Sequence, residues 1–337
     1  MEPVLRTLFV HTPGTRLVLE GNSIKALRDG EPARRLPLHA IDTLVVLGGV
    51  DVSTPLLLHC AENQRVVAFL SRFGKPRVVV EGALQGRSEL RRQQYAAHSS
   101  PTLRDELAGC IVKGKMHQMS WGLRQAARSA KGAAAGELRD VALLLDSSAA
   151  ATAGRSRQEV LGMEGEATRR YLTAFGATLR DSPWKGRHRR PATDPVNALL
   201  SWVYGMTRIS VHGALAVAGL DAGTGFLHGD RASQPSLVLD LMEEFRPTAD
   251  ALVSKLWNTR QVQVKHFSSG ISGAVELTAE GREIVFDAWH QHRLQPVSIR
   301  GRSMEVSNAI VPILQAHTLA NALRYASPYE AHVRVVR

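Results

Sequence analysis

The period of the sequence changes near residue 85, and that change limits the folds open to the chain. Before it, short β-branched runs recur between turn signals. Thr7–Val10, Arg16–Glu20, Thr43–Leu47, Arg65–Ser71 and Arg77–Glu81 read as strands, separated by Pro13-Gly14, Asp29-Gly30 and Gly48-Gly49. One helix interrupts them, started by Thr54-Pro55 and filled by Leu56–Ala61. After Gly86 the pattern is helical almost to the end. Ser88 is placed to cap a helix carrying Arg91, Arg92 and Tyr95. Ser156-x-x-Glu159 reads as a capping box, and Asp194-Pro195 opens a helix expected to end near Gly219. The Ala-rich stretches Ala130–Gly136 and Ser147–Gly154 read as loops between helices. Strand–helix alternation does not persist long enough for a doubly wound sheet. The expected architecture is α+β: a small N-terminal β domain over residues 1–85, then a larger all-α C-terminal domain over residues 86–337. A chain of 337 residues is long enough for two cores.

Several classes of protein are disfavoured. No apolar run approaches the roughly 18 residues of a membrane helix. The N-terminus alternates polar and apolar residues without a signal-peptide core, which points to a cytoplasmic location. Cys60 and Cys110 form no CxxC pair, against both a structural zinc site and a disulfide framework. There is no HExxH, no GxSxG and no phosphate-loop Gly-Lys-Ser/Thr ending. The formal charge of +11 is unevenly spread. Residues 1–85 hold ten Lys/Arg and eight Asp/Glu, so the later region carries +9. A polyanion, nucleic acid above all, is the partner such a surface fits.

Three acidic or histidine segments stand out in that basic region. In the helix beginning at Ser156, Val160, Ala167, Tyr171 and Phe175 form one apolar stripe, and Glu164 falls within it. A carboxylate on a buried face needs a partner, either a salt bridge to another helix or a metal. His228 lies in the glycine-rich run Gly223-Thr-Gly-Phe-Leu-His228-Gly-Asp230, where side chains approach ligands without backbone obstruction, although a lone loop histidine is commonly a surface residue. In a short helix ended by Pro247, Val238, Leu241, Met242 and Phe245 make one side. Asp240, Glu243 and Glu244 make the other, which by itself reads as a solvated acidic face. One His with two carboxylates suits magnesium or manganese, and such an ion can polarise a phosphodiester. Trp184-Lys-Gly-Arg-His-Arg-Arg190 places Lys185, Arg187, Arg189 and Arg190 beside an aromatic, suited to phosphate contacts with a stacking platform. Arg124, Arg128 and Lys131 share one basic helix face, which reads either as a further nucleic-acid contact, through Arg124 and Arg128, or as a solvated face.

Leu161-Gly-Met-Glu-Gly-Glu-Ala167, Gly225-Phe-Leu-His-Gly229 and Leu239-Asp-Leu-Met-Glu-Glu-Phe-Arg-Pro247, in this order, resemble the signature of the Cas-one family of CRISPR-associated integrases. Gln93-Gln-Tyr95, Arg187-His-Arg-Arg-Pro191, Asp194-Pro-Val-Asn-Ala-Leu-Leu-Ser201 and Leu277-Thr-Ala-Glu-Gly-Arg282 are also similar to the family, so the likeness covers nearly the whole chain. The resemblance implies a dimerising β domain and a helical domain with one Mg2+ or Mn2+ site. Its ligands would be Glu164, His228 and Glu243, supported by Asp240, with Glu244 the neighbour that a shift of one residue would substitute. It further implies strand transfer, in which a DNA 3′-hydroxyl attacks a phosphodiester of a CRISPR repeat. The expected partners are double-stranded DNA, a second copy of the chain and a small Cas-two protein, in a heterohexameric complex. Two other readings use the same residues: a free-standing metal-dependent nuclease of DNA or RNA, and a non-catalytic nucleic-acid-binding scaffold.

Overall fold

Two four-stranded sheets carry the first eighty residues of the computed structural model, which describes residues 7–10, 12–41, 43–70, 76–80, 82, 88–130, 132–188, 191–229, 234–270, 273–298 and 305–332. The strands are β1 (Thr7–Val10), β2 (Arg16–Glu20), β3 (Ser23–Leu27), β4 (Arg34–Pro37), β5 (Thr43–Leu47), β6 (Asp51–Val52), β7 (Val66–Leu70) and β8 (Pro76–Val80). One sheet runs β1-β5-β7-β8 and the other β4-β3-β2-β6. β5 pairs in parallel with both β1 and β7, and α1 (Thr54–Glu62) makes the crossover between β5 and β7. A central parallel strand is covered on both faces, which explains the unbroken apolar run of β5. Leu44 and Val46 enter a small core with Leu17, Ile24, Leu56 and Cys60, while Val45 and Ala68 face the opposite way into the helical core. β3 and β4 are absent from the sequence reading. Lys25, Arg34 and Arg35 give them a polar, half-exposed texture, and their apolar alternation is weak.

Beyond residue 87 the described structure is mostly helical: α2 (Ser88–Ser99), α3 (Pro101–Ser129), α4 (Ala133–Ala150), α5 (Arg157–Ala177), α6 (Pro195–Ala218), α7 (Ser236–Glu243), α8 (Arg246–Asn258), α9 (Ala279–Leu294) and α10 (Val311–Tyr325). Two short antiparallel ribbons lie among them, β9 (Phe267–Ser269) with β10 (Val275–Leu277) and β11 (Pro296–Val297) with β12 (Val306–Ser307). About half of the expected Ala-rich loops is helix: α4 begins at Ala133 and runs to Ala150, and residues 151–154 remain a turn. Alanine is the strongest helix former, and these stretches lack the Pro and Asn/Asp breakers of true loops.

Three helices position the later chemistry. α5 starts on a complete capping box, with Ser156 and Glu159 each satisfying the other's backbone N–H. Its buried residues are Val160, Ala167, Tyr171 and Phe175, the predicted stripe. Removing such side chains from water contributes about 1.5–3 kcal/mol for each large one, which fixes the rotation of the helix and thereby the direction of Glu164. α6 is capped by Asp194 and stops at Gly219, whose φ of 86° is the left-handed conformation that glycine adopts without steric cost. α7 is a different case. Seven of its eight residues are buried, Asp240 and Glu243 among them. The expected solvated acidic face does not exist, because α7 packs between α3, α6 and α8. Pro247 also acts differently from expectation: it sits in the first turn of α8, where its missing N–H costs nothing.

Candidate active site

Glu164, on α5, and Glu243, at the end of α7, converge on one side chain that the sequence reading missed. The Lys115 ammonium, from the middle of α3, contacts Glu164 Oε1 and lies 2.6 Å from Glu243 Oε2. Lys115 is almost fully buried, in helical register with Ile111 and Met119 on a buried face. The signal that singled out Glu164, a charge within an apolar stripe, was available for Lys115 as well. Thr168 Oγ1 also donates to Glu164 Oε1, at 2.7 Å. Arg246, three residues after Glu243, donates from Nε to Glu243 Oε1 at 2.8 Å. Burial alone would raise the Glu243 pKa. Arg246, Lys115 and the nearby His228 outweigh it and hold the carboxyl at about 2.

His228 is aimed by Asp240. This wholly buried carboxylate accepts from the backbone N–H groups of Phe226, Leu227 and His228 at 2.5, 2.8 and 2.8 Å, and faces His228 Nδ1 at 2.7 Å. A carboxylate so placed keeps the proton on Nδ1 and leaves Nε2 as the lone-pair nitrogen. Burial lowers the His228 pKa, but the hydrogen bond and charge of Asp240, with the charge of Glu243, raise it overall. Gly225 permits this loop. A Cβ there would come within 2.6 Å of Asp240 Oδ2 and 2.8 Å of the Ser236 backbone. α2 fastens the other end of the loop. Buried Gln94 donates to the carbonyls of Asp221 and Thr224 and accepts from Asp221 N–H, and Tyr95 donates to Asp221 Oδ2 at 3.0 Å.

Glu244 points away from this cluster. Its oxygens accept from the Tyr329 hydroxyl at 2.5 Å and the His332 N–H at 2.7 Å, so it clasps the C-terminal segment. Burial without a cation raises its pKa to about 8. Behind the cluster, Arg246 and Arg187 lie over the Tyr204 ring, at 4.9 and 5.5 Å from its centroid. Tyr204 donates to buried Asp250 at 2.5 Å.

The proposed DNA-binding cations divide. Lys185 is exposed. Arg187 is engaged inside the protein, donating to Asn197 Oδ1 at 2.7 Å and to Ser201 Oγ at 3.2 Å. The Trp184 ring packs edge-on against Phe175. Arg128 is exposed, and Arg124, half-exposed, pairs with Asp146 at 2.5 Å. Arg189, Arg190, Lys131 and Asp230 lie outside the described residues.

Two carboxylates and an imidazole are the donor types that a hard divalent ion accepts. Glu243 Oε2 is buried and, although close to Lys115, has no properly directed hydrogen bond. Among the described residues no three His, Cys, Asp or Glu side chains are gathered to hold a metal as they stand. The donor set fits the ion, and the space between its carboxylates holds an ammonium.

The sequence profile of the family described as CRISPR associated protein Cas1 matches residues 8–291. The chain belongs to the Cas1 family. It is 36% identical over 336 residues, 96% of each chain, to the CRISPR-associated endonuclease Cas1 2 of Rhodospirillum rubrum. It is 32% identical over 334 residues, again 96% of each, to the Cas1 1 of Moorella thermoacetica. The fold matches a Cas1 protein from Thermotoga maritima with a TM-score of 0.81 at 22% identity, over 95% of this chain and 97% of that one. It also matches a casposase bound to its integration product, with a TM-score of 0.80 at 20% identity, over 97% and 92%. The Cas1 fold is therefore a β-rich region followed by a mostly helical one, as the sequence led us to expect. Among the described residues no helix is long and apolar enough to cross a membrane.

Proposed function

We propose that this Cas1 chain is a CRISPR adaptation integrase, joining short DNA duplexes into a repeat array. The observation that carries the reading is the meeting of Glu164 and Glu243 at Lys115, with the Asp240-aimed His228 near Glu243, in a member of a family whose relatives are named endonucleases. Glu164, His228 and Glu243 would hold Mg2+ or Mn2+, which when bound would polarise a phosphodiester and stabilise charge on the attacking and leaving oxygens. Asp240 fixes the imidazole tautomer and ties the loop backbone to α7. Arg246 holds the Glu243 carboxylate ionised and oriented. The attacking hydroxyl belongs to the DNA 3′ end, so the protein supplies no nucleophile. One phosphodiester replaces another, and no nucleotide need be hydrolysed.

Residues 1–85 would form the dimerising domain and residues 86–337 the catalytic one. Exposed Lys185 and Arg128, with Arg124, Arg189 and Arg190, would meet backbone phosphates. A small Cas2 partner is proposed because the fold also matches that of a Cas6-RT-Cas1–Cas2 complex, with a TM-score of 0.81 at 20% identity, covering all of this chain and 37% of that one. The test is incubation of the chain, the small partner and Mn2+ with a short duplex and a repeat-bearing plasmid, followed by sequencing of the products. Joints at repeat ends are expected, and a 3′-deoxy duplex should give none. Cut DNA without joints would identify a free-standing nuclease instead.

A further inference from the structure

We propose that Lys115 is an internal counter-cation of the site. Its ammonium and the divalent ion compete for the same two carboxylates, so metal entry requires the Lys115 side chain to withdraw. The proposal rests on the reading of Glu164, His228 and Glu243 as a metal site. Without a cation between them, two carboxylates facing one another in a largely buried site repel. Lys115 removes that repulsion. It reaches both carboxylates from a third helix, with its side chain only 4% exposed. Arg246 is bound to the other oxygen of Glu243, which leaves the Lys115-facing Oε2 as the atom available to a second cation.

An ammonium 2.6 Å from Oε2 would stand in the way of a divalent ion held by the same two carboxylates. The two charges also repel at such a distance, so joint occupancy is disfavoured. Lysine suits the exchange because its charge sits on a flexible four-carbon stem, whereas arginine's planar fork would bind two carboxylates in fixed geometry. The consequence is a metal affinity deliberately weakened by a competitor, together with carboxylates held in place before metal arrives.

Mn2+ binding to the full chain, followed by calorimetry and by the spin-resonance signal of free Mn2+, tests this without reference to activity. Lys115→Met should bind Mn2+ about tenfold more tightly than the wild type, or about 1.4 kcal/mol. Its melting temperature in chelator should fall below the wild-type value, and Mn2+ should raise it by more than it raises the wild type. Lys115→Arg, which keeps the charge but cannot readily retract, should bind Mn2+ more weakly than the wild type. If Lys115→Met does not fold without metal, the Lys115→Arg result decides. Equal or weaker binding by folded Lys115→Met, or unaltered binding by Lys115→Arg, would overturn the proposal. Wild-type binding that Glu164→Gln abolishes, combined with either of those results, would overturn the competition alone. Absence of wild-type binding would overturn both the competition and the metal site.

Discussion

Glu243 and Glu244 are adjacent in sequence, both buried, and electrostatically opposite. Glu243 faces Lys115 and Arg246, with Glu164 across the ammonium, and is held at about 2. Glu244 faces a phenol and a backbone N–H, with no cation to pay for its charge, and is raised to about 8. One end of α7 therefore presents an ionised carboxylate to Lys115 and Arg246 and a largely protonated carboxyl to the C-terminal segment. Burial does not mark a functional acid; what distinguishes the two is the charge of the facing groups.

The comparison extends to Asp240, on the Glu243 side of the helix. Asp240→Asn should lower joining activity about 10- to 100-fold, the usual cost of losing the partner that orients a metal-binding histidine. The amide NH2 would present a donor to two of the four existing donors, so the melting temperature should drop as well. Full activity would show that His228 is aimed by something else.

Glu244 offers a pH signature opposite in sign to that of Glu243. Its unfolded pKa is near 4.5 and its folded pKa about 8, so between these values the native state binds the extra proton. Stability from this group is present below pH 4.5, is lost as pH rises to 8, and stays lost above it. Glu244→Gln keeps the shape of the protonated carboxyl and does not titrate. Its melting temperature should match the wild type at pH 5 and exceed it at pH 8.5, by an amount on the order of 5 °C. A difference independent of pH would mean that Glu244 is ionised in the folded protein.

Lys185 and Arg187 repeat the contrast at lower stakes. Lys185→Ala should reduce the log–log salt slope of DNA binding by about one unit, equally for unrelated duplexes, and leave stability unchanged. Arg187→Ala should lower the melting temperature, because its guanidinium bonds Asn197 and Ser201 and lies over Tyr204. Fluorescence anisotropy across salt, paired with thermal melts, checks both. A slope change from Arg187→Ala without loss of stability would reverse their roles.

What could be read from the sequence follows from how local each determinant is. The α5 capping box, its apolar stripe and the misfit of Glu164 all lie within one helix, and periodicity reveals them. The environment of α7 was illegible, because α3, α6, α8 and the C-terminal segment, distant in sequence, close over its acids. Only that packing tells Glu243 from Glu244. Lys115 was legible in principle, by the same misfit as Glu164. β3 and β4 were not, since the register of β3 against β2 and of β4 against β3, rather than their own texture, makes them strands.

On the proposed function, chemistry resides on the Glu243 side of α7 and structure on the Glu244 side. Joining of a 3′-hydroxyl duplex to a repeat-bearing plasmid, in Mn2+ at pH 7, should be measured side by side for Glu243→Gln and Glu244→Gln. A loss of at least about 100-fold is expected for Glu243→Gln if its carboxylate is a ligand of the catalytic metal. Glu244→Gln should join at a near wild-type rate. Joining retained by Glu243→Gln and abolished in folded Glu244→Gln would contradict that division.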